Sequence, residues 1–113
     1  MKKVEAIIRP ETFRTLRERL VEVGINGLTV SEVAGCGQQK GQQGVFRGNT
    51  FEINLLPKVK VEMVVEAEFV DEIVQIIQET CSSNSVGDGK IFIYQIEDAI
   101  RIRTGESGKL AII

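Results

Sequence analysis

Alternation of hydrophobic and polar residues predicts β-strands at two places in the chain, because successive side chains of a strand point to opposite faces. The alternation is clear in residues 1–9 and clearest in residues 58–65. Residues 28–35 and 90–96 are two further predicted strands, and residues 100–103 form a short candidate for one more. The sequence therefore predicts a sheet of at least four strands.

Two other stretches carry hydrophobic residues at helical spacing. The first begins at Pro10 and ends at Gly24, residue types that favour a helix start and a C-terminal cap. The second ends near Thr80, and its apolar stripe comprises Val70, Ile73, Val74 and Ile77. The order strand, helix, strand, strand, helix, strand predicts an α+β, ferredoxin-like βαββαβ sandwich with both helices on one face of an antiparallel sheet. Because the other face needs cover, we expect a homo-oligomer.

Residues 36–54, which lie between the second and third predicted strands, read CGQQKGQQGVFRGNTFEIN. A hairpin connection needs only about two to five residues. A longer loop in a small domain is usually functional or disordered. We therefore interpret it as a functional loop, with a tolerated flexible insertion as the alternative.

Composition narrows the function further. The 113 residues are expected to form one domain, and they include no histidine, which excludes Ser/His/Asp, Cys/His and HExxH chemistry. A net charge of -2 and one tyrosine with no tryptophan argue against nucleic-acid binding. The two cysteines are far apart and are expected to be free thiols. No signal-peptide pattern is present, so we expect a cytoplasmic protein.

Two segments near the end of the chain are candidate phosphate sites. Residues 86–90, VGDGK, precede the last strand, and their glycines would let backbone N–H groups face an anion beside a lysine. An ordinary turn is the alternative. Arg101 and Arg103 would point the same way on an extended segment and could grip phosphate, although for this pair taken alone a solvated edge strand is the favoured explanation.

A third candidate lies at the exit of the second strand. Residues 35–41, GCGQQKG, offer amide and ammonium groups that could meet a small dicarboxylate or a metal-bound oxygen. Lys58 and Lys60 share a strand face with Glu62, where ion pairing across the sheet is the simpler explanation. Three weak anion-binding candidates at the ends of neighbouring strands favour a binding site over chance.

These segments together resemble the P-II signal-transduction family across essentially the whole chain. The resemblance rests on MKKVEAIIRP, VGINGLTVSEV, GQQKGQ, LPKVKVEMVV, VGDGKIFI and IRIRTGE, which occur in the family's order. Ser83 followed by Gly87-Asp88-Gly89-Lys90-Ile91-Phe92 fits the family's C-terminal signature. The resemblance implies a ferredoxin-like homotrimer.

It also implies an ATP or ADP site, with Mg²⁺ and 2-oxoglutarate, in each cleft between subunits. The base and ribose would be enclosed by Gly27, Leu28, Thr29, Glu62, Met63 and Val64. The phosphates would be surrounded by Gly35, Gly37, Gly87, Gly89, Lys90, Arg101 and Arg103, with Gln38 and Asp88 in the same loops. Gln39 would ligate Mg²⁺ beside 2-oxoglutarate, and the acid would meet the backbone of Gln39, Lys40 and Gly41 and the Lys58 ammonium.

Several positions depart from the family pattern. Phe51 stands where relatives carry a tyrosine that is uridylylated, and Asn49 where others carry a serine that is phosphorylated, so neither modification is expected. Gln38 stands where many relatives have an arginine that contacts the terminal phosphate. We therefore expect weaker discrimination of ATP from ADP than is usual in the family.

The expected function is non-enzymatic. Ligands that prefer one conformation of residues 36–54 would select it, and an ammonium transporter or nitrogen-metabolism enzyme would bind the selected shape. Contact with a membrane would occur only through a transporter. One alternative is a divergent adenine-nucleotide sensor of another pathway, such as carbon or bicarbonate transport, that does not respond to 2-oxoglutarate. Another is a small ferredoxin-like enzyme or metal-binding trimer using Glu62, Asp88 and Lys90, which the missing histidine argues against.

Overall fold

The computed structural model describes residues 1–36 and 55–113. Their elements confirm the predicted order of strands and helices. The elements are β1 (Lys2–Ile8), α1 (Phe13–Glu22), β2 (Thr29–Gly35), β3 (Leu56–Val65), α2 (Val70–Cys81), β4 (Gly89–Gln95) and a short α3 (Lys109–Ile112). One turn of 3₁₀ helix precedes α1 and another precedes α2.

The four strands form one sheet in the order β2-β3-β1-β4, and every neighbouring pair is antiparallel. On the central strand β1, Val4 lies opposite Met63 of β3 and Ile93 of β4. The two central strands show the strongest alternation in the sequence because one face of each is covered by helices. This arrangement is the predicted ferredoxin-like sandwich.

The core lies between the sheet and the two long helices. It comprises Val4, Ala6, Ile8, Leu16, Leu20, Val59, Val61, Met63, Val65, Ile73, Ile76, Ile77 and Cys81, all buried. Fully burying one such aliphatic side chain stabilises a fold by about 1.5 to 3 kcal/mol. The predicted stripe of α2 needs one correction, since Ile76 is buried while Val74 is only half-buried. The helix is rotated so that Val74 lies at the margin of the stripe, where it lines a cavity beside β4.

The predicted helix boundaries follow from local backbone chemistry. Pro10 begins the 3₁₀ turn before α1, where its fixed φ suits the start of a helix. Gly24 has a φ of 89°, which favours glycine, and it donates its N–H to the carbonyl of Val21 at 3.0 Å. The predicted C-terminal cap is therefore confirmed.

The predicted strand over residues 100–103 is wrong. Ile100 makes one isolated bridge to Ser107, and residues 102–104 form a turn. Gly105, with a φ of 76°, donates its N–H to the carbonyl of Arg101 at 2.7 Å. The chain therefore reverses where the alternation of isoleucine and arginine suggested extension, and Arg101 and Arg103 do not share a strand face.

The second face of the sheet is not covered by α1 or α2 and carries a cluster of charged side chains. The Lys3 Nζ lies 3.1 Å from Glu62 Oε2, 3.8 Å from Glu5 Oε1 and 4.4 Å from the centre of the Tyr94 ring. The hydrogen bond to Glu62 is the largest cause of a raised pKa at Lys3. The expected homo-oligomer would form by covering this open face, and the oligomer itself stays a prediction.

Candidate functional site

The loop between α2 and β4 contains the predicted phosphate cradle. Gly87 and Gly89 have φ values of 99° and 111°, a region that L side chains rarely adopt. A Cβ atom on Gly89 would lie 1.7 Å from the carbonyl oxygen of Ile7. Glycine is therefore required where β4 begins against β1, and the loop has a fixed shape.

The Asp88 carboxylate holds this loop together. Its Oδ2 accepts the N–H groups of Ser83 at 2.7 Å and Ser85 at 3.3 Å, and its Oδ1 accepts the Ser83 hydroxyl at 2.5 Å and Arg9 Nε at 3.3 Å. These bonds, led by the one from the Ser83 hydroxyl, hold the pKa of Asp88 far below its usual range. Asp88 thus shapes the loop from within, and its direct contact with a ligand stays a prediction.

Lys58 links β3 to the same loop. Its Nζ donates to the carbonyl oxygen of Gly87 at 2.6 Å, although the two residues are 29 apart in sequence. Gly35, at the end of β2, is also adjacent, since a Cβ on it would lie 3.6 Å from Lys58 Cγ. The phosphate-side cluster, as we name it, comprises Gly35, Lys58, Gly87, Gly89 and Lys90.

The residues expected to enclose the base and ribose form a second group at the other end of the sheet. Thr29 lies opposite Glu62 in the pairing of β2 with β3, and Gly27 and Leu28 directly precede β2, so the six residues are neighbours. The base-side cluster comprises Gly27, Leu28, Thr29, Glu62, Met63 and Val64. Only 3% of the Met63 side chain is exposed, on the helix side of the sheet, so Met63 can offer a ligand little besides its backbone. Glu62 pairs with Lys3 rather than with the lysines of its own strand.

The two clusters do not meet within one chain. Lys58 and Val64 are six positions apart on β3. At about 3.3 Å per residue, Lys58 is about 20 Å from Val64 and about 13 Å from Glu62, the nearest base-side residue on this strand. A nucleotide that used both clusters of a single chain would have to lie along the open sheet face, across Ile7 and Lys60.

Arg101 lies beyond the base-side cluster and contacts its own chain. Its Nη1 lies 3.0 Å from Glu106 Oε1, and its Nη2 donates to the main-chain oxygens of Leu110 at 3.0 Å and Ile113 at 2.9 Å. Arg103 is exposed in the 102–104 turn. The prediction that both arginines point the same way is therefore wrong.

Comparison with known proteins decides the family. The sequence profile described as Nitrogen regulatory protein P-II matches residues 1–106. This chain belongs to the P-II family. It is 49% identical to the Nitrogen regulatory protein P-II of Haemophilus influenzae and 48% identical to Nitrogen regulatory protein P-II 1 of Escherichia coli K12, in each case over 99% of this chain and 100% of the relative.

A solved P-II structure is similar as well. The crystal structure of Arabidopsis thaliana PII bound to citrate matches with a TM-score of 0.79 at 36% identity, and the match covers 98% of this chain and 88% of that one. The ferredoxin-like fold and the P-II resemblance predicted from the sequence are thereby confirmed.

Part of the predicted P-II site lies outside the described residues. Gly37, Gln38, Gln39, Lys40 and Gly41 all fall in the segment 37–54, as do Asn49 and Phe51. The predicted Mg²⁺ ligand and the loop that would bind a partner therefore stay predictions. Within residues 1–36 and 55–113, no three His, Cys, Asp or Glu side chains gather as a metal site would require.

Sequence reasoning missed Arg9, which contacts the loop between α2 and β4 of this P-II protein. Arg9 binds the Asp88 carboxylate through Nε, and it binds the Val86 carbonyl oxygen through Nη2 at 2.9 Å. The usable signal was strand pairing, because in an antiparallel β1–β4 pair the end of β1 must lie beside the start of β4.

No helix in the described part of the chain is long and apolar enough to cross a membrane.

Proposed function

We propose that this P-II protein is a non-enzymatic signal transducer that binds ATP or ADP together with Mg²⁺ and 2-oxoglutarate. Its target would be an ammonium transporter or a nitrogen-metabolism enzyme, contacted through residues 36–54. The observation that carries the proposal is the bond from Lys58 Nζ to the Gly87 carbonyl oxygen at 2.6 Å. It joins the residue expected to bind the organic acid to the loop expected to bind phosphate, so the two ligands would share one site.

The phosphate-side cluster has the chemistry of an anion site. Two glycines with positive φ turn the backbone so that N–H groups can face a ligand, and Lys58 and Lys90 supply positive charge. Lys58 now donates to a neutral carbonyl. A carboxylate or phosphate oxygen would be a stronger acceptor, because hydrogen bonds to charged groups contribute about 1.5 to 3 kcal/mol.

An organic acid is a reasonable second ligand for this cluster. The Arabidopsis relative was crystallised with citrate, which like 2-oxoglutarate carries more than one carboxylate. Bound Mg²⁺ would screen the repulsion between that acid and the nucleotide phosphates, and the family resemblance assigns Gln39 as its protein ligand. Lys58 would then orient the acid beside the loop.

A complete site requires a second copy of the chain. Along β3 the base-side residues lie about 13 to 20 Å from Lys58 of the phosphate-side cluster. If neighbouring copies packed so that one copy's base-side end met the next copy's phosphate-side end, each cleft would hold one nucleotide. Such a head-to-tail contact closes into a ring when the rotation between copies divides a full turn, as it would in the expected homotrimer. Phe92 and Tyr94 of the open face, 44% and 42% exposed, would be covered by that ring.

The proposed mechanism is a shift of population. Ligands that contact Lys58 and Gly35 at the two ends of the 36–54 segment would favour the conformations of that segment with which they make the best contacts. A partner that binds one of those conformations would then detect the ligands. No step in this mechanism requires a bond to be made or broken.

The test is calorimetric titration of 2-oxoglutarate with and without saturating Mg-ATP, on the wild type and two variants. Lys58→Met should weaken 2-oxoglutarate binding by at least about tenfold, the loss expected for one charge-assisted hydrogen bond. Lys60→Met is the matched control, since Lys60 is on the same face of β3 but two positions, about 7 Å, further along the strand from the bond between Lys58 and Gly87. It should bind nearly as the wild type does.

Three outcomes separate the possibilities. Binding of 2-oxoglutarate that needs Mg-ATP and is lost in Lys58→Met supports the proposal. Nucleotide binding with no 2-oxoglutarate response would favour the divergent adenine-nucleotide sensor instead. A wild-type protein that binds neither ligand would refute the shared site.

A further inference from the structure

The segment after β4 ends in a short helix that is held in place by Arg101. The tail, as we name residues 106–113, contributes three acceptors to this one guanidinium group: the Glu106 carboxylate and the main-chain oxygens of Leu110 and Ile113. Thr104 donates its hydroxyl to Glu106 Oε1 at 2.8 Å and so positions that carboxylate. We name this set of bonds between Arg101 and the docked tail the latch.

The latch uses the parts of Arg101 that bind phosphate best. A guanidinium grips a phosphate through two parallel donors, either Nε with Nη2 or Nη1 with Nη2. Both protons of Nη2 are directed to the oxygens of Leu110 and Ile113, so neither pair is available while the tail is docked. The Glu106 carboxylate also places a negative charge where a phosphate would otherwise approach.

The same tail forms one wall of the cavity at the base-side end. A cavity of about 320 Å³ is lined by Gly27 and Val64 of the base-side cluster and by Ile112 and Ile113 of the tail. Glu66 lines this cavity too, and its Oε1 is buried with no hydrogen-bond partner among the described residues. Movement of the tail would therefore change both the phosphate contact of Arg101 and the surroundings of the base-side cluster.

We propose that the tail competes with nucleotide phosphate for Arg101, so that nucleotide binding releases residues 106–113 and docking of the tail weakens nucleotide binding. The inference rests on the proposed function, because it takes Arg101 as a phosphate ligand. The coupling is reciprocal, since two ligands that exclude each other lower each other's affinity by the same factor. Release of the tail would expose Ile112, which is half-buried and lines the cavity while the tail is docked, as a signal of nucleotide occupancy.

Hydrogen exchange measured by mass spectrometry tests the competition directly. In the docked tail, the Gly108 N–H is bonded to the Ala99 carbonyl at 3.0 Å and the Ala111 N–H to the Gly108 carbonyl at 2.9 Å. Saturating Mg-ATP should speed exchange in residues 108–113 of the wild type by about fivefold or more and slow it in residues 83–90, where the phosphates would bind.

Two variants loosen the tail by different routes. Glu106→Gln weakens the latch at Arg101. Asp98→Ala removes the Oδ1 atom that shares the Gly108 N–H with the Ala99 carbonyl, each at 3.0 Å, and leaves Arg101 untouched. Each should exchange faster in the tail without nucleotide and bind ATP about threefold to tenfold more tightly, because more of the protein is in the binding-competent state. Glu72→Gln, an equal change of charge on the exposed side of α2, is the matched control and should match the wild type.

The outcomes distinguish the competition for Arg101 from the proposed function. Glu106→Gln could tighten ATP binding while hydrogen exchange in the tail stays unchanged without ATP. The tighter binding would then be an effect of charge alone, and the latch would be overturned. Bound ATP that slows residues 83–90 but leaves the tail unchanged, or protects it, would overturn the competition while leaving the proposed function intact. No ATP binding by the wild type or either variant would refute both.

Discussion

Gly89 is the position at which one added methyl group should do most damage to the candidate site. Its φ is 111°, and a Cβ there would lie 1.7 Å from the carbonyl oxygen of Ile7 and 2.9 Å from the carbonyl carbon. Both contacts are with backbone, so no side chain can move aside. Gly89→Ala must therefore push the start of β4 away from β1 in addition to adopting a strained φ.

The expected cost has two parts. A non-glycine residue in such a backbone conformation costs about 1 to 3 kcal/mol. Separating the strand ends would lose one or two ladder hydrogen bonds, each contributing about 0.5 to 1.5 kcal/mol. The sum, about 1.5 to 6 kcal/mol, is a large part of the usual free energy of unfolding of about 5 to 15 kcal/mol.

The assay is urea unfolding followed by circular dichroism at one fixed protomer concentration, since assembly would make stability depend on concentration. Gly27→Ala is the matched control, because a Cβ on Gly27 would meet nothing within 4 Å and its φ is not in the left-handed region. Gly27→Ala should stay within about 0.5 kcal/mol of the wild type. Equal stability of the two variants would refute the close approach of Gly89 to Ile7.

Further predictions concern the loop and the core. Asp88→Asn should lower the urea midpoint at pH 7 and flatten its dependence on acid pH. The folded pKa of Asp88 is depressed, so its stabilisation is present above the unfolded value of about 3.9 and is lost as the pH falls below it. Wild-type midpoints that did not fall further between pH 5 and pH 3 than those of the variant would contradict this. Ile73→Ala should lower the free energy of unfolding by about 2 to 5 kcal/mol, because the side chain is 1% exposed in the core. Val86→Ala, at a position 62% exposed, is its control and should change stability by less than about 0.5 kcal/mol.

The phosphate-side loop shows what a local pattern can and cannot reveal. The glycines of residues 86–90 are a local signal, and the structure shows why they are needed. The residues that bind the loop are distant from it in sequence. Arg9, which follows β1, is 79 residues from Asp88, and Lys58 of β3 is 29 residues from Gly87. Before the family resemblance was considered, an ion pair across the sheet was the simpler explanation for Lys58, because nothing in the sequence gives the distance of Lys58 from Gly87.

The order and bounds of the main elements were predictable from the sequence to within a few residues, because each depends on local physics. Alternation in β1 and β3 follows from one buried face, and Pro10 and Gly24 restrict φ at the ends of a helix. The P-II family was recognisable from the same sequence.

The arrangement of the site residues was not predictable from the sequence and follows from how the chain packs. Residues 100–103 have an extended pattern, but the turn at Gly105 and the bonds of Arg101 to the tail prevail over it. The structure also separated the predicted site residues into two clusters at opposite ends of the sheet. The first result depends on contacts of Arg101 with residues four to twelve positions further along the chain, which the alternation does not describe. The second depends on strand pairing between distant segments, whose distances are set when the whole chain packs.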